Sequence, residues 1–380
     1  MDFLLEGLMA ITPAQLIMYA IGAFLIYLAI NRDLEPVLLL PMGFGCILVN
    51  LPLSGALNQV LPGIGKTSGI VEWMFEVGIE AAEAMPLLLF IGIGAMIDFG
   101  PLLASPKMFL FGAAAQFGIF AALLVAVLFG FDLRDAASIS IIGAADGPTS
   151  ILVSQVLGSK YIGPIAVVAY SYMALVPMIQ PLVIKGLTTK KERMIRMEYK
   201  PANVSRKARI LFPIIVTVVA GMVAPQSVSL VGFLMFGNLL RECGKLDNLS
   251  RAAQDILSNL VSLLLGITVS FSMRADTFVT FDTIFIMLIG LSAFVFDTAG
   301  GVLFAKLLNL ITPKNKVNPM IGAAGISAFP MAARVVQRLA GKEDPSNILI
   351  MQATAANVSG QIASVVAGGV ILKVVSSLLG

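Results

Sequence analysis

The sequence has 380 residues, of which 58% are hydrophobic and only 12% are charged, and its mean hydropathy is +0.94. Soluble domains carry roughly a quarter charged residues, so this composition argues against a water-soluble globular protein and favours a membrane protein. The formal net charge is only +3, and no nucleic-acid partner is predicted. Because histidine is absent, a histidine base, metal ligand or proton relay is excluded.

Long apolar runs occupy most of the chain, and a helix needs about 20 mostly apolar residues to cross a bilayer. In chain order, the candidate segments are 15–30, 37–51, 85–96, 108–129, 139–157, 162–184, 211–239, 256–271, 281–296, 300–311, 319–339 and 348–375. Glycine and proline break 139–157 and 319–339, and 211–239 is long enough for two passes split at Pro225. We predict an all-α polytopic membrane protein with about ten to twelve membrane segments.

Residues 185–209 form the one clearly polar stretch, with nine lysines and arginines against Glu192 and Glu198. Loops rich in lysine and arginine stay on the cytoplasmic side of a membrane. We therefore predict a first membrane half at 1–184, a basic cytoplasmic linker at 185–209 and a second membrane half at 210–380.

The tetrapeptide IGAA occurs once in each half, at 142–145 and at 321–324, and a proline follows in both cases. These strings mark a broken helix at 142–150 and another at 318–334. Matched broken helices in two halves indicate a transporter site between inverted repeats. Short strings of small residues also recur by chance in membrane proteins, and the inversion depends on the number of helices.

The first break, 143–150, reads GAADGPTS and carries Asp146 into an apolar run, where a charged residue costs about 2.5–3.5 kcal/mol. Pro148 suits the first turn of a new helix, so one half-helix should end at Asp146 and another begin there. The carboxylate, the freed carbonyls and the hydroxyls of Thr149 and Ser150 form an all-oxygen set that suits a hard cation. An aspartate that only caps a helix is the alternative.

The second break, 318–334, has small residues at 322–325 that permit close backbone approach. Ser327 precedes Pro330, which again suits the start of a helix. Arg334 lies one turn into that helix. Its guanidinium either binds a carboxylate as a buried planar fork or extends to the interface with the basic residues that follow. The spacing leaves both interpretations open.

Several other polar residues interrupt the apolar runs, and most are expected to form hydrogen bonds between helices. They are Asn50, Asp98, Gln116, Tyr170, Tyr172, Gln180, Asn238, Asp282, Asp297, Asn357 and Gln361. Tyr170 and Tyr172 follow the first break by about one helix and are candidates to fold back beside Asp146. The sequence contains no Walker loop, so the energy for transport must come from an ion gradient or from chemistry on a partner.

The two breaks, IGAADGPTSI (142–151) and NPMIGAAGISAFPMAAR (318–334), resemble paired motifs of a known family. This family is the membrane β subunit of biotin-dependent, sodium-translocating decarboxylases, which act on oxaloacetate, methylmalonyl-CoA, glutaconyl-CoA or malonate. TAGGVLFAK (298–306) and the segment 357–361 fit the same pattern, and the resemblance covers the whole chain. The charges at Arg274 and Asp297 depart from it and are unexplained.

The resemblance implies that a carboxyltransferase subunit loads biotin on a carrier protein and that this chain decarboxylates the carboxybiotin. It implies that decarboxylation drives sodium out of the cell and consumes a proton. The location implied is the inner membrane of a bacterium or archaeon, with a small membrane anchor subunit as a further partner. The resemblance leaves open whether the chain forms a homo-oligomer.

The predicted site combines the motif positions with the oxygen chemistry of the breaks. The predicted sodium ligands are Asp146, Thr149, Asn318, Gly322 and Ser327, the predicted catalytic residues are Asp146, Tyr172 and Arg334, and the predicted contacts of carboxybiotin are Arg334 and Asn318. A carboxylate in low dielectric is stable as a sodium pair or as a protonated acid. Sodium and a proton should therefore compete for Asp146.

Two other functions remain compatible with the sequence. A sodium-coupled secondary transporter of an organic anion would use the same broken helices without a partner enzyme. A non-catalytic membrane anchor would need neither the buried carboxylate nor sodium.

Overall fold

The computed structural model describes residues 2–32, 35–61, 63, 65–81, 84–198, 204–313 and 315–379. In the first half the elements are α1 (Asp2–Met9), α2 (Pro13–Arg32), α3 (Pro36–Asn50), β1 (Asn58–Leu61), β2 (Gly65–Ser68), α4 (Ile70–Phe75), α5 (Ala84–Met96), α6 (Gly100–Ala104), α7 (Phe109–Ala115), α8 (Phe117–Leu128), α9 (Leu133–Ser140), α10 (Gly147–Val156) and α11 (Ile162–Leu187). After these come α12 (Lys190–Arg193), α13 (Arg206–Val223), α14 (Val228–Glu242), α15 (Asp247–Arg251), α16 (Ser258–Val269), α17 (Ala275–Phe278), α18 (Phe281–Ile311), α19 (Met320–Ala323), α20 (Met331–Glu343) and α21 (Ile350–Leu379).

The only strands within the described residues are β1 and β2, which pair antiparallel with Asn58 opposite Ser68. All other regular structure there is helical, which confirms the prediction of an all-α polytopic membrane protein. Five of the described helices are long and apolar enough to cross a membrane: Pro13–Arg32, Pro106–Leu128, Asp247–Met273, Phe281–Ile311 and Ile350–Leu378.

Two bent helix pairs raise that number to seven if each pair forms one span. They are Ile70–Glu80 with Ala84–Met96, and Ile162–Met173 with Leu175–Leu187. The predicted ten to twelve segments include both broken helices and shorter apolar helices such as Pro36–Asn50. These pieces are too short to count among the five full-length helices.

The order of elements is similar in the two halves. A π-helical turn leads into an apolar helix in each half, at Glu76–Glu80 before α5 and at Ala252–Leu257 before α16. A broken helix follows later in each, and then a long helix, α11 or α21. An internal repeat would produce this order, and the inverted direction of the second copy stays a prediction.

Helices cover both ends of the segment 185–209 that is predicted to link two halves, and the division into halves stays a prediction. Helix α11 continues through Leu187 and α13 begins at Arg206, so the basic residues at both predicted ends belong to helices. Lysine and arginine can extend from a helix end to the polar interface, which allows an apolar helix to continue past its first charge. We call the segment 188–205 between these helices the linker; its described residues, 188–198 and 204–205, contain one helical turn, α12.

Candidate functional site

The first break is a sharp turn between two helical pieces. Helix α9 ends in a 3₁₀ turn, Ile141–Ala144, and Ala145 then adopts the left-handed conformation with a φ of 52°. This conformation costs an L-residue about 1–2 kcal/mol, so the surrounding packing must hold it in place. Asp146 is extended and forms the N-cap of α10, with Pro148 in the first turn of that helix.

Asp146 is buried, with 5% of its surface exposed, and it accepts hydrogen bonds on both carboxylate oxygens. Oδ2 accepts from Thr149 Oγ1 at 2.7 Å and from Ser364 Oγ at 3.1 Å. Oδ1 accepts from the Thr149 backbone N–H at 3.4 Å. Among the described residues no lysine or arginine pairs with this carboxylate. Asp146 therefore caps a helix and is also a buried acid without a basic partner.

The second break contacts the first one directly. It runs from the single turn α19 to the start of α20, and the Ser327 backbone N–H donates to the Ala144 carbonyl oxygen at 3.0 Å. The Ser327 hydroxyl donates to the Gly360 carbonyl oxygen at 3.1 Å. Residues from the two halves of the chain thus meet at one point, close to Asp146.

Helix α21 bridges the two breaks with polar side chains. Asn357 Nδ2 donates to the Ile326 carbonyl oxygen at 2.7 Å, and Gln361 Nε2 donates to the Ser327 carbonyl oxygen. One turn further along the helix, Ser364 donates to Asp146. The segment 357–361 therefore holds the second break in place, and α21 carries one direct contact to the carboxylate.

A cavity of about 50 Å³ lies where the breaks meet. It is lined by Leu89, Ile93, Ala145, Asp146, Pro148, Tyr170, Met173, Ser327, Phe329 and Gln361. About 10–15 Å³ of such volume holds one water molecule, so this cavity can hold a small ion with a few waters. Carboxylate, hydroxyl and carbonyl oxygens suit a hard monovalent or divalent cation.

Tyr170, and not Tyr172, lines this cavity. Tyr170 is 1% exposed, its ring packs against Gly147, and its hydroxyl has no hydrogen-bond partner in the described part of the chain. The Tyr172 hydroxyl donates to the Met287 carbonyl oxygen and its ring lies next to Gly290. Residues two positions apart on a helix point about 200° apart, so only one of the two tyrosines can face Asp146 in this structure.

Asn318 lies at the beginning of the second break and holds the linker. Its Nδ2 donates to the carbonyl oxygens of Arg193 and Ile195 at 2.8 Å each, and its Oδ1 accepts from the Met320 N–H at 3.1 Å. Asn347 Nδ2 reaches the same two carbonyl oxygens at 3.4 and 3.3 Å. Both donor hydrogens of Asn318 are therefore used at the linker, and Asn318 does not line the cavity.

Ion pairs also join the linker to the end of α20. Arg193 Nε lies 2.7 Å from Glu343 Oε1, and Arg196 Nη2 lies 2.7 Å from Asp344 Oδ2. Hydrogen bonds from Ser346 and the bond to Arg196 hold the pKa of the Asp344 carboxyl below its usual value, so Asp344 stays charged at neutral pH. The described residues at the start of the linker therefore dock against the end of α20.

Substituting Asn318 with alanine should release this linker. We expect amide hydrogen exchange at Arg193 and Ile195, in and just after α12, to become about tenfold faster, because losing two hydrogen bonds costs about 1–2 kcal/mol. Asn347→Ala is the matched control with longer bonds to the same carbonyls and should have a smaller effect. Equal protection in wild type and Asn318→Ala would show that the hydrogen bonds of Asn318 do not hold the linker.

Gly322 lies at a close crossing of α19 and α18. A Cβ on Gly322 would collide with the Gly301 carbonyl oxygen, and a Cβ on Gly301 would collide with the Gly322 carbonyl oxygen. Gly322 therefore serves backbone packing here, and it lies outside the lining of the cavity.

Arg334 has an exposed side chain, which agrees with the second of the two interpretations that the spacing left open and not with a buried fork. It lies on α20 one turn after the break, and within the described residues its guanidinium forms no ion pair. Of the predicted site residues, the structure thus brings together Asp146, Thr149 and Ser327. Sequence reasoning missed Ser364, whose only signal was a small polar residue within the apolar run of α21.

The fold and this site define an α-helical integral membrane protein with a buried carboxylate between two broken helices. The sequence model of the family described as Na⁺-transporting oxaloacetate decarboxylase beta subunit matches residues 14–375. The chain is 47% identical over 372 residues to methylmalonyl-CoA decarboxylase subunit beta of Veillonella parvula, and the aligned region covers 98% of this chain and 96% of the relative. It is 46% identical over 370 residues to glutaconyl-CoA decarboxylase subunit beta of Acidaminococcus fermentans, covering 97% and 96%. It is 42% identical to oxaloacetate decarboxylase beta chain 2 of Salmonella typhi, covering 98% of each chain.

The chain therefore belongs to the family of β subunits of sodium-transporting decarboxylases. Sodium is the ion that this family transports, and a β subunit acts within a complex of several subunits.

Proposed function

We propose that this chain decarboxylates carboxybiotin presented by a carrier protein and couples the reaction to sodium export and proton consumption. The observation that carries the proposal is Asp146, a buried carboxylate without a basic partner among the described residues, beside a small cavity at the contact of the two breaks. A bare anion in such a place is unstable, whereas a sodium pair or a neutral acid is stable. A proton that binds Asp146 therefore displaces sodium, and sodium displaces the proton.

The ion ligands in this proposal come from both halves of the chain. Asp146 supplies the charge, the hydroxyls of Thr149 and Ser327 supply neutral oxygens, and the breaks supply carbonyl oxygens. Asn318 and Gly322 support the site from outside the cavity, through the linker and the helix crossing. Moving one charge against the membrane potential costs about 2.3 kcal/mol per 100 mV, and decarboxylation must supply at least that for each sodium ion.

Carboxybiotin supplies a carboxyl group on nitrogen, which leaves as CO₂ when that nitrogen takes up a proton. In our proposal Arg334 attracts the incoming carboxylate, since its guanidinium is exposed and unpaired within the described residues. Tyr170 can provide the proton at the cavity, because its hydroxyl has no other partner there. The proton that decarboxylation consumes then passes the same cavity that sodium occupies.

Tyrosine-to-phenylalanine substitutions should distinguish the catalytic contribution of Tyr170 from that of Tyr172. We expect Tyr170→Phe to lower sodium-dependent decarboxylation by about a hundredfold, the lower range for general acid catalysis. Tyr172→Phe loses one hydrogen bond to a carbonyl, worth about 1 kcal/mol, and should lower the rate by a few-fold. Initial rates of the purified complex at saturating sodium would measure both. A larger loss in Tyr172→Phe would show that another conformation brings Tyr172 to Asp146, as its motif position implies.

We also propose that the chain lies in the inner membrane of a bacterium or archaeon, with the linker in the cytoplasm. The basic composition of the linker supports this orientation. The partners proposed are a biotin carrier, a carboxyltransferase subunit and a small membrane anchor subunit. The carboxylated substrate is chosen by the carboxyltransferase subunit and not by this chain.

Sodium uptake into inverted vesicles that hold the whole complex tests the function. Uptake should require the carboxylated substrate and should stop when avidin sequesters the biotin. Sodium uptake that needs no substrate and ignores avidin would favour a secondary transporter of an organic anion.

A further inference from the structure

A second buried carboxylate, Asp297 on α18, lies outside the site described above. It is 0% exposed, and its Oδ1 accepts from the Ile119 backbone N–H at 3.2 Å, in the first turn of α8. Its Oδ2 has no hydrogen-bond partner among the described residues. One oxygen is thus satisfied by a helix N-terminus, and the other is buried without a hydrogen bond from the described residues.

The unsatisfied oxygen points at the first break. A Cβ added to Gly143 would lie 2.8 Å from Asp297 Oδ2 and 2.8 Å from the Ala293 methyl group. A Cβ added to Gly118 would lie 2.6 Å from Asp297 Oδ1. The carboxyl group therefore fits between the start of α8 and the turn that carries Asp146, and both neighbours are glycines.

No basic side chain compensates a charge on Asp297. Helix α18 packs against α7, α8, α9, α11, α19 and the 3₁₀ turn of the first break. The titratable side chains on those elements are Arg134, Asp135, Tyr170, Tyr172 and Lys185. None of them forms a hydrogen bond or ion pair with Asp297 in the part of the chain that the structure describes.

We propose that Asp297 is a proton-binding site, in its neutral carboxylic acid form in this conformation. A hard cation needs several oxygen ligands, whereas Oδ2 lies beside Gly143 and has no hydrogen-bond partner among the described residues. A proton needs only one oxygen, and neutralisation removes the cost of a buried charge. The two buried carboxyls thus differ in their chemistry: Asp146 accepts from two hydroxyls and lines a cavity, whereas Asp297 accepts from a backbone N–H and has one oxygen without a partner among the described residues.

Protonation of Asp297 is coupled to the packing of the first break. An ionised Asp297 requires water or another polar partner at Oδ2, and Gly143 occupies that space. Loss of the proton and displacement of the break therefore favour each other, as linked equilibria must. The consequence for sodium export rests on the proposed function, but the proton site itself does not.

Infrared difference spectroscopy tests the proton site without requiring any turnover. The wild-type protein at neutral pH should show the C=O stretch of a protonated carboxylic acid that Asp297→Asn lacks. This band should persist at saturating sodium, whereas any band that Asp146→Asn removes should disappear when sodium binds. Asp282→Asn, an exposed carboxylate on the same helix, is the matched control and should remove no such band.

Absence of an Asp297 band at neutral pH would overturn the proposal, and a band that sodium abolishes would make Asp297 a cation site instead. If Asp297→Asn does not insert, Asp297→Glu gives the same test, because the band must then shift in frequency. Amide exchange across 141–145, corrected for the intrinsic rate, should rise at alkaline pH in wild type and not in Asp297→Asn. Identical exchange in both would refute the coupling while leaving the function proposed for Asp146 intact.

Discussion

Asp146→Asn will abolish sodium-dependent decarboxylation and sodium uptake, although the subunit will still insert into the membrane. Asparagine is a good N-cap, so α10 keeps its capping oxygen while the site loses its charge. Removing one partner of a buried ion pair costs about 3–5 kcal/mol, so we expect a loss of sodium affinity of at least about a hundredfold. The apparent sodium affinity of the purified complex measures this loss.

Asp135→Asn is the matched control for this substitution. Asp135 is also buried in the first half and bonds to a hydroxyl, that of Ser159 at 2.7 Å, but it does not line the cavity. We expect the apparent sodium affinity of the complex with Asp135→Asn to stay within a few-fold of wild type. Wild-type sodium dependence in Asp146→Asn would refute the role of Asp146 as an ion ligand and would leave a membrane anchor as the remaining function.

Gly322→Ala will strongly destabilise the subunit, and Gly301→Ala will do the same. Each new methyl group would collide with the carbonyl oxygen of the facing glycine, so two backbones must separate. Overpacking costs typically about 1–3 kcal/mol with side-chain neighbours, and a collision with backbone leaves less room for adjustment. We expect a clear fall in the melting temperature of the detergent-purified subunit and in its yield.

Gly341→Ala on α20 provides the control, because a Cβ there has nothing within 4 Å. Alanine is favoured over glycine inside a helix by about 1 kcal/mol, so this variant should be as stable as wild type or more so. A Gly322→Ala protein with the stability of Gly341→Ala would show that α18 and α19 can separate at little cost.

Local sequence was sufficient to predict the first break. Asp146, Pro148 and Thr149 lie within four positions, and the rules for caps and for proline act over that range. The structure keeps that arrangement and adds the left-handed Ala145, which no local rule requires. A non-glycine residue is left-handed only where tertiary packing holds it there, so this feature was beyond prediction.

Contacts between distant parts of the chain were the main omission. Ser364 lies 218 positions from Asp146, and Asn318 lies 125 positions from Arg193. A polar residue within an apolar run signals that it needs a partner, but the run does not identify the partner. Asp297 and Gln180 gave this signal as well, and Gln180 proves to donate to the Ala323 carbonyl oxygen in the second break at 2.6 Å.

The surroundings of two arginines, Arg274 and Arg334, could not be predicted from the sequence. Arg274 was unexplained from the sequence, and its guanidinium lies 4.6 Å from the centre of the Phe271 ring, close to Asp276. Arg334 was open between a buried fork and an interfacial side chain, and it is exposed. Burial depends on which helices cover a position, and the spacing of residues along one helix does not contain that information.

The hydrogen bond from Ser327 to Ala144 has a consequence for the passive leakage of sodium. Ala145 and Ser327 line the cavity beside this bond, so separation of the two backbones there would widen the cavity and break the bond. Breaking that bond costs free energy, which adds to the barrier against opening the cavity. Such a barrier slows the passive return of sodium down its gradient during the interval between two turnovers.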